Sequence, residues 1–353
     1  MRFDPNAAAL ADSGIFGLPD DADARAAARV VLIPVPWDAT TSYRPGTARG
    51  PDAILEASRQ VDLFDGETGR PYTAGITLRP PHPDLARWNV EARAEAEKVI
   101  EAGGRVDGDA TLEAALALVN ARSRIVDAEV EAQVSAELDA GKIVGIVGGD
   151  HSTPLGSILA HARRWPGLGI LHVDAHADLR RAYEGFERSH ASIMDNVLKL
   201  APGVAKLVQV GIRDFCEEEV DAIRDAHGRV ATTFDVDVAA ARMSGALPAL
   251  FERIVAALPT HVYVSFDIDG LDPTLCPHTG TPVPGGLSFH EASLLVGLVA
   301  RSGRTIVGFD LNEVAPGPEG DEWDANVGAR LLYKLIGWTL VSRGLSTPVA
   351  LPR

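Results

Sequence analysis

Ile170-Leu171-His172-Val173-Asp174-Ala175-His176-Ala177-Asp178 sets the architecture expected of this chain. The apolar run after Gly169 predicts a buried strand. Its end carries three metal-competent side chains at alternate positions. Successive side chains on a strand face opposite ways, so Asp174, His176 and Asp178 can converge on one side. Carboxylates at the end of a buried strand need a compensating cation, most simply a divalent metal. His172 faces the same side one pleat deeper, as a partner to a ligand or a satisfied core residue.

Two further strand ends repeat the pattern. Val262-Tyr263-Val264-Ser265-Phe266-Asp267-Ile268-Asp269-Gly270 closes on two acids. Ile143 to Val147 runs into Gly148-Gly149-Asp150-His151-Ser152, where two glycines let the chain turn sharply and present His151. Together these ends supply His151, Asp174, His176, Asp178, Asp267 and Asp269. Four carboxylates are too many for one zinc, but suit two hard or borderline divalent ions that share carboxylates and water.

Around these motifs, strands are expected near 30–35, 75–78, 143–147, 168–174, 206–212, 230–234, 261–267 and 305–311. Helical patterns fill most of the gaps after Lys142, and a long one spans about 325–343. Such alternation predicts an α/β fold with a parallel sheet covered on both faces, as one domain over 30–345. Residues 1–29 read as an N-terminal arm, packed on a neighbouring subunit or loose, and 346–353 as a tail. Residues 66–140 form an enlarged helical region: an interface, a lid or a decoration. The loop after the first strand offers Thr40, Thr41, Ser42 and Tyr43 as pocket residues, since α/β proteins place ligands at strand carboxyl ends.

Composition narrows the function. A formal charge of −16 argues against a nucleic-acid partner, which would call for a basic stripe, and mildly favours a cationic substrate. Two cysteines form no disulfide framework and fit a reducing compartment. No apolar run reaches membrane-spanning length, and the first residues lack a signal-peptide core, so a soluble cytoplasmic protein is expected.

Gly-Gly-Asp-His-Ser at 148–152, Asp-Ala-His-Ala-Asp at 174–178 and Ser-Phe-Asp-Ile-Asp-Gly-Leu-Asp-Pro at 265–273 resemble the ureohydrolase (arginase and agmatinase) signatures. Gly280-Thr281-Pro282-Val283-Pro284-Gly285-Gly286-Leu287 and Asn312-Glu313-Val314-Ala315-Pro316 extend the resemblance over about residues 30 to 340. It implies an eight-stranded parallel sheet with the metals at its carboxyl edge, in a homo-oligomer, trimer or hexamer. It gives one metal His151, Asp174, Asp178 and Asp267, and the other Asp174, His176, Asp267 and Asp269. Asp174 and Asp267 would then bridge. Manganese comes first, with nickel, cobalt or iron as alternatives.

The resemblance also implies a reaction, hydrolysis of a guanidino compound to urea. A guanidinium carbon is a poor electrophile, and two metals would lower the pKa of a water to supply the nucleophile. Asp178 would orient it, Glu313 would accept guanidinium N–H bonds, and His190 would relay a proton to the leaving amine, titrating near neutrality. Where arginases carry an asparagine for the amino-acid head, this chain has Arg180. The run through Tyr183, Glu184 and Gly185 is similar to bacterial agmatinases, and Glu184 would meet a terminal ammonium. His278 lies close in sequence to the 267–287 segment and would line the pocket. Agmatine is therefore the first substrate expected. Free guanidine or a short guanidino acid follows, then formiminoglutamate. A non-catalytic metal-binding relative is the reading from another class.

Overall fold

Val30–Val35, strand β1, is buried along its whole length, as a strand covered on both faces must be. Val30 and Leu32 join one core, while Val31, Ile33 and Val35 join the opposite one. This alternation is the strand period expressed in packing. The computed structural model describes residues 3–318 and 320–352. Among them the further strands are β2 (Ile76–Leu78), β3 (Ile143–Gly148), β4 (Leu168–Val173), β5 (Val204–Ile212), β6 (Val230–Phe234), β7 (His261–Asp267) and β8 (Thr305–Asn312). The eight form one parallel sheet in the order β2-β1-β3-β8-β7-β4-β5-β6. Every expected strand is present, with ends shifted by two residues at most.

Helices cover both faces. They are α1 (Ala22–Ala27), α2 (Gly50–Ser58), α3 (Leu85–Glu101), α4 (Ala110–Asp139), α5 (Leu155–Arg164) and α6 (Ile193–Leu200). The chain continues with α7 (Glu217–Asp225), α8 (Asp235–Ser244), α9 (Leu247–Ala256), α10 (Phe289–Arg301) and α11 (Trp323–Ser342). Helix α4 starts where the Asp109 carboxylate accepts the N–H groups of Thr111 and Leu112. Ser288 and Glu291 close a capping box on α10. The enlarged 66–140 region is largely the α3–α4 pair. Leu85 and Ala92 of α3, with Val126, Val130 and Val134 of α4, close the core over β1 and β3.

The stretch read as an arm is in part core. Ile15, Phe16 and Leu18 are buried. The Phe16 ring packs 4.8 Å from that of Tyr333 on α11, and its N–H donates to Ser58 Oγ. Residues 15–18 therefore pack on their own domain, because the three apolar side chains of Ile15, Phe16 and Leu18 gain from burial. Cys216 and Cys276 are both free. No described helix is long and apolar enough to cross a membrane.

The sheet fixes where the site falls. Strands β3, β4 and β7 end at the same edge, and β8 lies between β3 and β7. The turn after β3 depends on Gly149. Its N–H donates to Val35 O, while Asp150 N–H donates to Trp37 O. A Cβ at Gly149 would stand 1.8 Å from that Trp37 oxygen, a backbone atom that cannot step aside. Gly149→Ala is expected to cost at least about 3 kcal/mol, read as a lowered denaturant midpoint; an unchanged midpoint would refute the close approach.

Candidate metal centre

The six side chains expected to bind metal meet at the carboxyl edge, and five of them are buried, His176 being half-buried. Asp174 is the hub. Its Oδ2 lies 2.9 Å from His151 Nδ1, and its Oδ1 accepts the His176 N–H at 2.6 Å. His151 Nδ1 also lies 3.3 Å from Asp178 Oδ2 and 3.4 Å from Asp267 Oδ2. His176 Nδ1 lies 3.1 Å from Asp269 Oδ2. Two sets of donor atoms fall within 4.8 Å of one another: His151, His172, Asp174 and Asp178, and Asp174, His176 and Asp269. Asp174 belongs to both.

Asp267 belongs to neither set, although a bridging role was expected for it. Its Oδ1 accepts the Asp269 N–H at 2.8 Å, capping the short turn Ile268–Gly270. Only Oδ2 points toward His151. His172, in the first set, is better placed as a hydrogen-bond donor than as a ligand. The Gln209 amide nitrogen lies 3.1 Å from His172 Nδ1, and assigning it as donor leaves the proton on Nε2, 2.8 Å from Asp174 Oδ2. Burial holds this ring below the ordinary histidine range, so it is neutral.

The charges fit divalent cations. Among the described residues no lysine or arginine pairs with Asp174, Asp178, Asp267 or Asp269; histidines alone do. Burial raises Asp178 to about 7 and Asp267 well above the carboxylate range, with Asp174 adding to both. Burial disfavours charge on His151 and His176 as well, yet the surrounding carboxylates lift both rings well above their usual range. A nest of acids that must borrow protons is the electrostatic signature of a cation site. The outer partners fit too. His151 Nε2 meets Ser265 Oγ at 3.0 Å, and Ser265 donates to Asp310 Oδ1 at 3.0 Å. This leaves Nδ1 facing the carboxylates, the usual division of labour in a ligating imidazole.

Glu313 follows β8 in a left-handed conformation, φ 62°. Its Oε1 accepts the His151 N–H at 2.9 Å. Burial beside Asp150 raises its carboxyl well above the usual range. Oε2 has no hydrogen-bond partner among the described residues, and Gly280 lies across from it, where a Cβ would stand 3.5 Å away. His190 begins a short 3-10 turn, and its buried Nδ1 has no partner. Burial pushes this ring down to about 4, not the near-neutral value expected.

The expected pocket residues divide. Thr40 is fully buried and its hydroxyl donates to Asp150 Oδ2 at 3.4 Å, so it braces the 148–152 turn. Thr41 is buried with an unpartnered hydroxyl. Tyr43 is exposed, with Arg44 over its ring. Arg180 stacks on Tyr183 and lies 3.7 Å from Glu219. Glu184 keeps one buried, unpartnered carboxylate oxygen. His278 is held by Asp324 at 2.8 Å, which ties it to the start of α11. Ser265, Gln209 and Asp310 escaped the sequence reading because a polar residue inside a strand does not reveal its cross-strand partner. Asp150 stood inside a recognised motif, and that was its only signal.

Comparison with known proteins adds the following. The model of the arginase family matches residues 28–337. An N(1)-aminopropylagmatine ureohydrolase of Thermus thermophilus is 35% identical over 311 residues, 88% of this chain and 90% of the relative. An agmatinase of Bacillus anthracis is 32% identical over 310 residues, 88% of this chain and 91% of the relative. The crystal structure of the agmatine ureohydrolase of Thermoplasma volcanium superposes with a TM-score of 0.69 at 25% identity, covering 92% of this chain and 94% of that one.

Proposed function

The chain belongs to the arginase family, and from that premise we propose that it hydrolyses a guanidino compound with a cationic tail, agmatine first, to urea and an amine. It is a hydrolytic enzyme of ureohydrolase type. N(1)-aminopropylagmatine, named in other relatives, is the longer alternative of the same chemistry. The observation that carries the reading is Glu313, a buried carboxylate beside the acidic nest with one oxygen free.

His151, Asp174, His176, Asp178, Asp267 and Asp269 would hold two divalent ions, manganese by preference. Such ions, when bound, lower the pKa of water towards neutrality and polarise the atoms they touch. The protein's part is to place the substrate and handle protons. Glu313 Oε2 accepts guanidinium N–H groups, and the planar fork of the guanidinium suits a carboxylate. Asp178 Oδ2, 3.3 Å from His151 Nδ1, would orient the nucleophile by accepting its hydrogen bond. His190 rests neutral with Nδ1 free. Once protonated it is a strong acid, which favours transfer to the leaving amine.

The test is urea release by the manganese-loaded protein from agmatine, N(1)-aminopropylagmatine, guanidine, 4-guanidinobutyrate and arginine, side by side. Agmatine or its aminopropyl derivative is expected to exceed arginine in kcat/KM by at least roughly a hundredfold. Preference for arginine would overturn the substrate, and urea from none of them would overturn the reaction.

A further inference from the structure

Helix α4 lies in the enlarged region that the reaction leaves without a role, yet it holds the loop that carries His190. Asn120, Arg124 and Asp127 stand at i, i+4 and i+7, which a helix brings to one side. All three meet the run 185–188. Asn120 Nδ2 donates to the Gly185 carbonyl at 3.1 Å, and its Oδ1 accepts the Glu187 N–H at 2.9 Å. Arg124 Nη1 donates to Glu187 Oε2 at 2.9 Å. Asp127 Oδ2 lies 3.1 Å from Arg188 Nε. Amid these contacts Phe186 is buried with Ala96 and Val99 of α3 and Ala115 and Val119 of α4. The platform is itself fixed. A Cβ at Gly156 would stand 2.2 Å from the Asp127 carbonyl oxygen, so α4 rests directly on α5, the helix that follows the 148–152 turn.

The two ion pairs are unequal. Arg124 and Glu187 are largely open to water, where such a pair is worth about 0–1 kcal/mol. Asp127 and Arg188 keep only 15% and 17% of their side chains exposed, so removing one partner leaves a poorly hydrated charge behind. Arg188 also reaches forward. Its Nη1 donates to Asn196 Oδ1 on α6. Asn196 Nδ2 in turn donates to the Glu187 carbonyl at 2.8 Å and to the Ser192 carbonyl at 2.9 Å. The turn between them is closed by the Ser192 N–H on the Ser189 carbonyl at 3.0 Å. His190 sits inside this clamp. Its buried Nδ1 has no hydrogen-bond partner among the described residues, and the Tyr183 ring stands edge-on to it at 6.3 Å. No bond at Nδ1 fixes the imidazole, so its place depends on the backbone that carries it.

We propose that Asp127 and Arg188 are positioning residues for His190: their ion pair, passed on through Asn196, fixes where the imidazole stands. The inference rests on the guanidino-hydrolase reading for the part His190 plays, and it gives the enlarged helical region a task in that reaction. A proton donor works only within hydrogen-bond reach of the atom that takes the proton. A small shift of the loop therefore costs rate while the metal ligands and Glu313, which lie on other segments, stay in place. Arginine suits the position because its fork meets Asp127 through Nε and Asn196 through Nη1. A lysine would bring one ammonium to the same two partners.

The experiment is a double-mutant cycle on the manganese-loaded protein: wild type, Arg188→Met, His190→Ala and the double variant. Urea release from agmatine, metal content and amide hydrogen exchange over 185–192 are measured for each. Arg188→Met is expected to lower kcat by roughly tenfold to a hundredfold, with KM and metal content little changed. In the His190→Ala background the same substitution is expected to change kcat by less than about twofold, because the residue it acts through is gone. Exchange over 185–192 is expected to quicken by at least roughly tenfold in Arg188→Met, while the strands keep their protection. Arg188→Lys should fall between Arg188→Met and wild type in both measurements. Where Arg188→Met does not fold, Asp127→Asn, which keeps the shape and removes the charge, takes its place in the cycle. Equal losses of kcat in the two backgrounds would overturn the proposal, and so would unchanged exchange over 185–192. If no guanidino compound releases urea, the hydrolase reading fails by itself, and the exchange measurement still decides whether the pair holds the His190 loop.

Discussion

Asp174→Asn is expected to remove metal from both halves of the centre and to lower urea release by at least about a thousandfold, some 4 kcal/mol of lost transition-state stabilisation. Asp174 alone belongs to both donor sets. Its two oxygens meet His151 and His172 on one side and His176 on the other. An asparagine there removes a negative charge and turns an N–H₂ group toward a neighbour that also donates. The check is metal analysis beside the urea assay. Two retained ions with near-native turnover would mean that Asp174 organises the histidines without binding metal.

Glu313→Gln should separate recognition from metal binding. The amide keeps an oxygen for the His151 N–H, so the 148–152 turn stays held. The charge that a guanidinium would meet is lost from a buried position, where one partner of a charge pair is worth about 3–4 kcal/mol. Agmatine kcat/KM is expected to fall by about a hundred- to a thousandfold with metal content unchanged. Loss of metal in this variant would place Glu313 in the support of His151 and remove it from guanidinium recognition.

The parts legible in the sequence were those written in consecutive residues. A buried strand followed by alternate acids announces both the sheet and the acidic cluster at its edge, because burial and the strand period act over five residues. The parts that stayed hidden depend on partners far along the chain. Nothing near His172 says that Gln209 will fix its tautomer from β5. Asn89 and Arg93, one helical turn apart, look like any solvated face until Asp38 and Thr41 come to meet them. Thr40 looked like a free hydroxyl on a loop, but the turn at Gly149 sets Asp150 against it. Ile15 to Leu18 lay in a polar stretch, too short for any periodicity to reveal that Tyr333 and Ser58 receive Phe16.

The place of β8 governs the order in which this protein can become active as it is made. One half of the sheet is β2-β1-β3, the other β7-β4-β5-β6, and β8 alone joins them. His151 belongs to the first half, and Asp174, His176, Asp178, Asp267 and Asp269 to the second. Ribosomes deliver chains from the amino end, so both halves emerge before Thr305–Asn312, the last described strand, exists to join them. Until then the second half can gather its own acids, but His151 and the residue after β8, Glu313, are absent from them. Metal held early would be held without its imidazole from β3 and without the carboxylate assigned to the guanidinium. A chain that lacks Thr305–Asn312 is therefore expected to lack the full constellation of His151, the acids and Glu313.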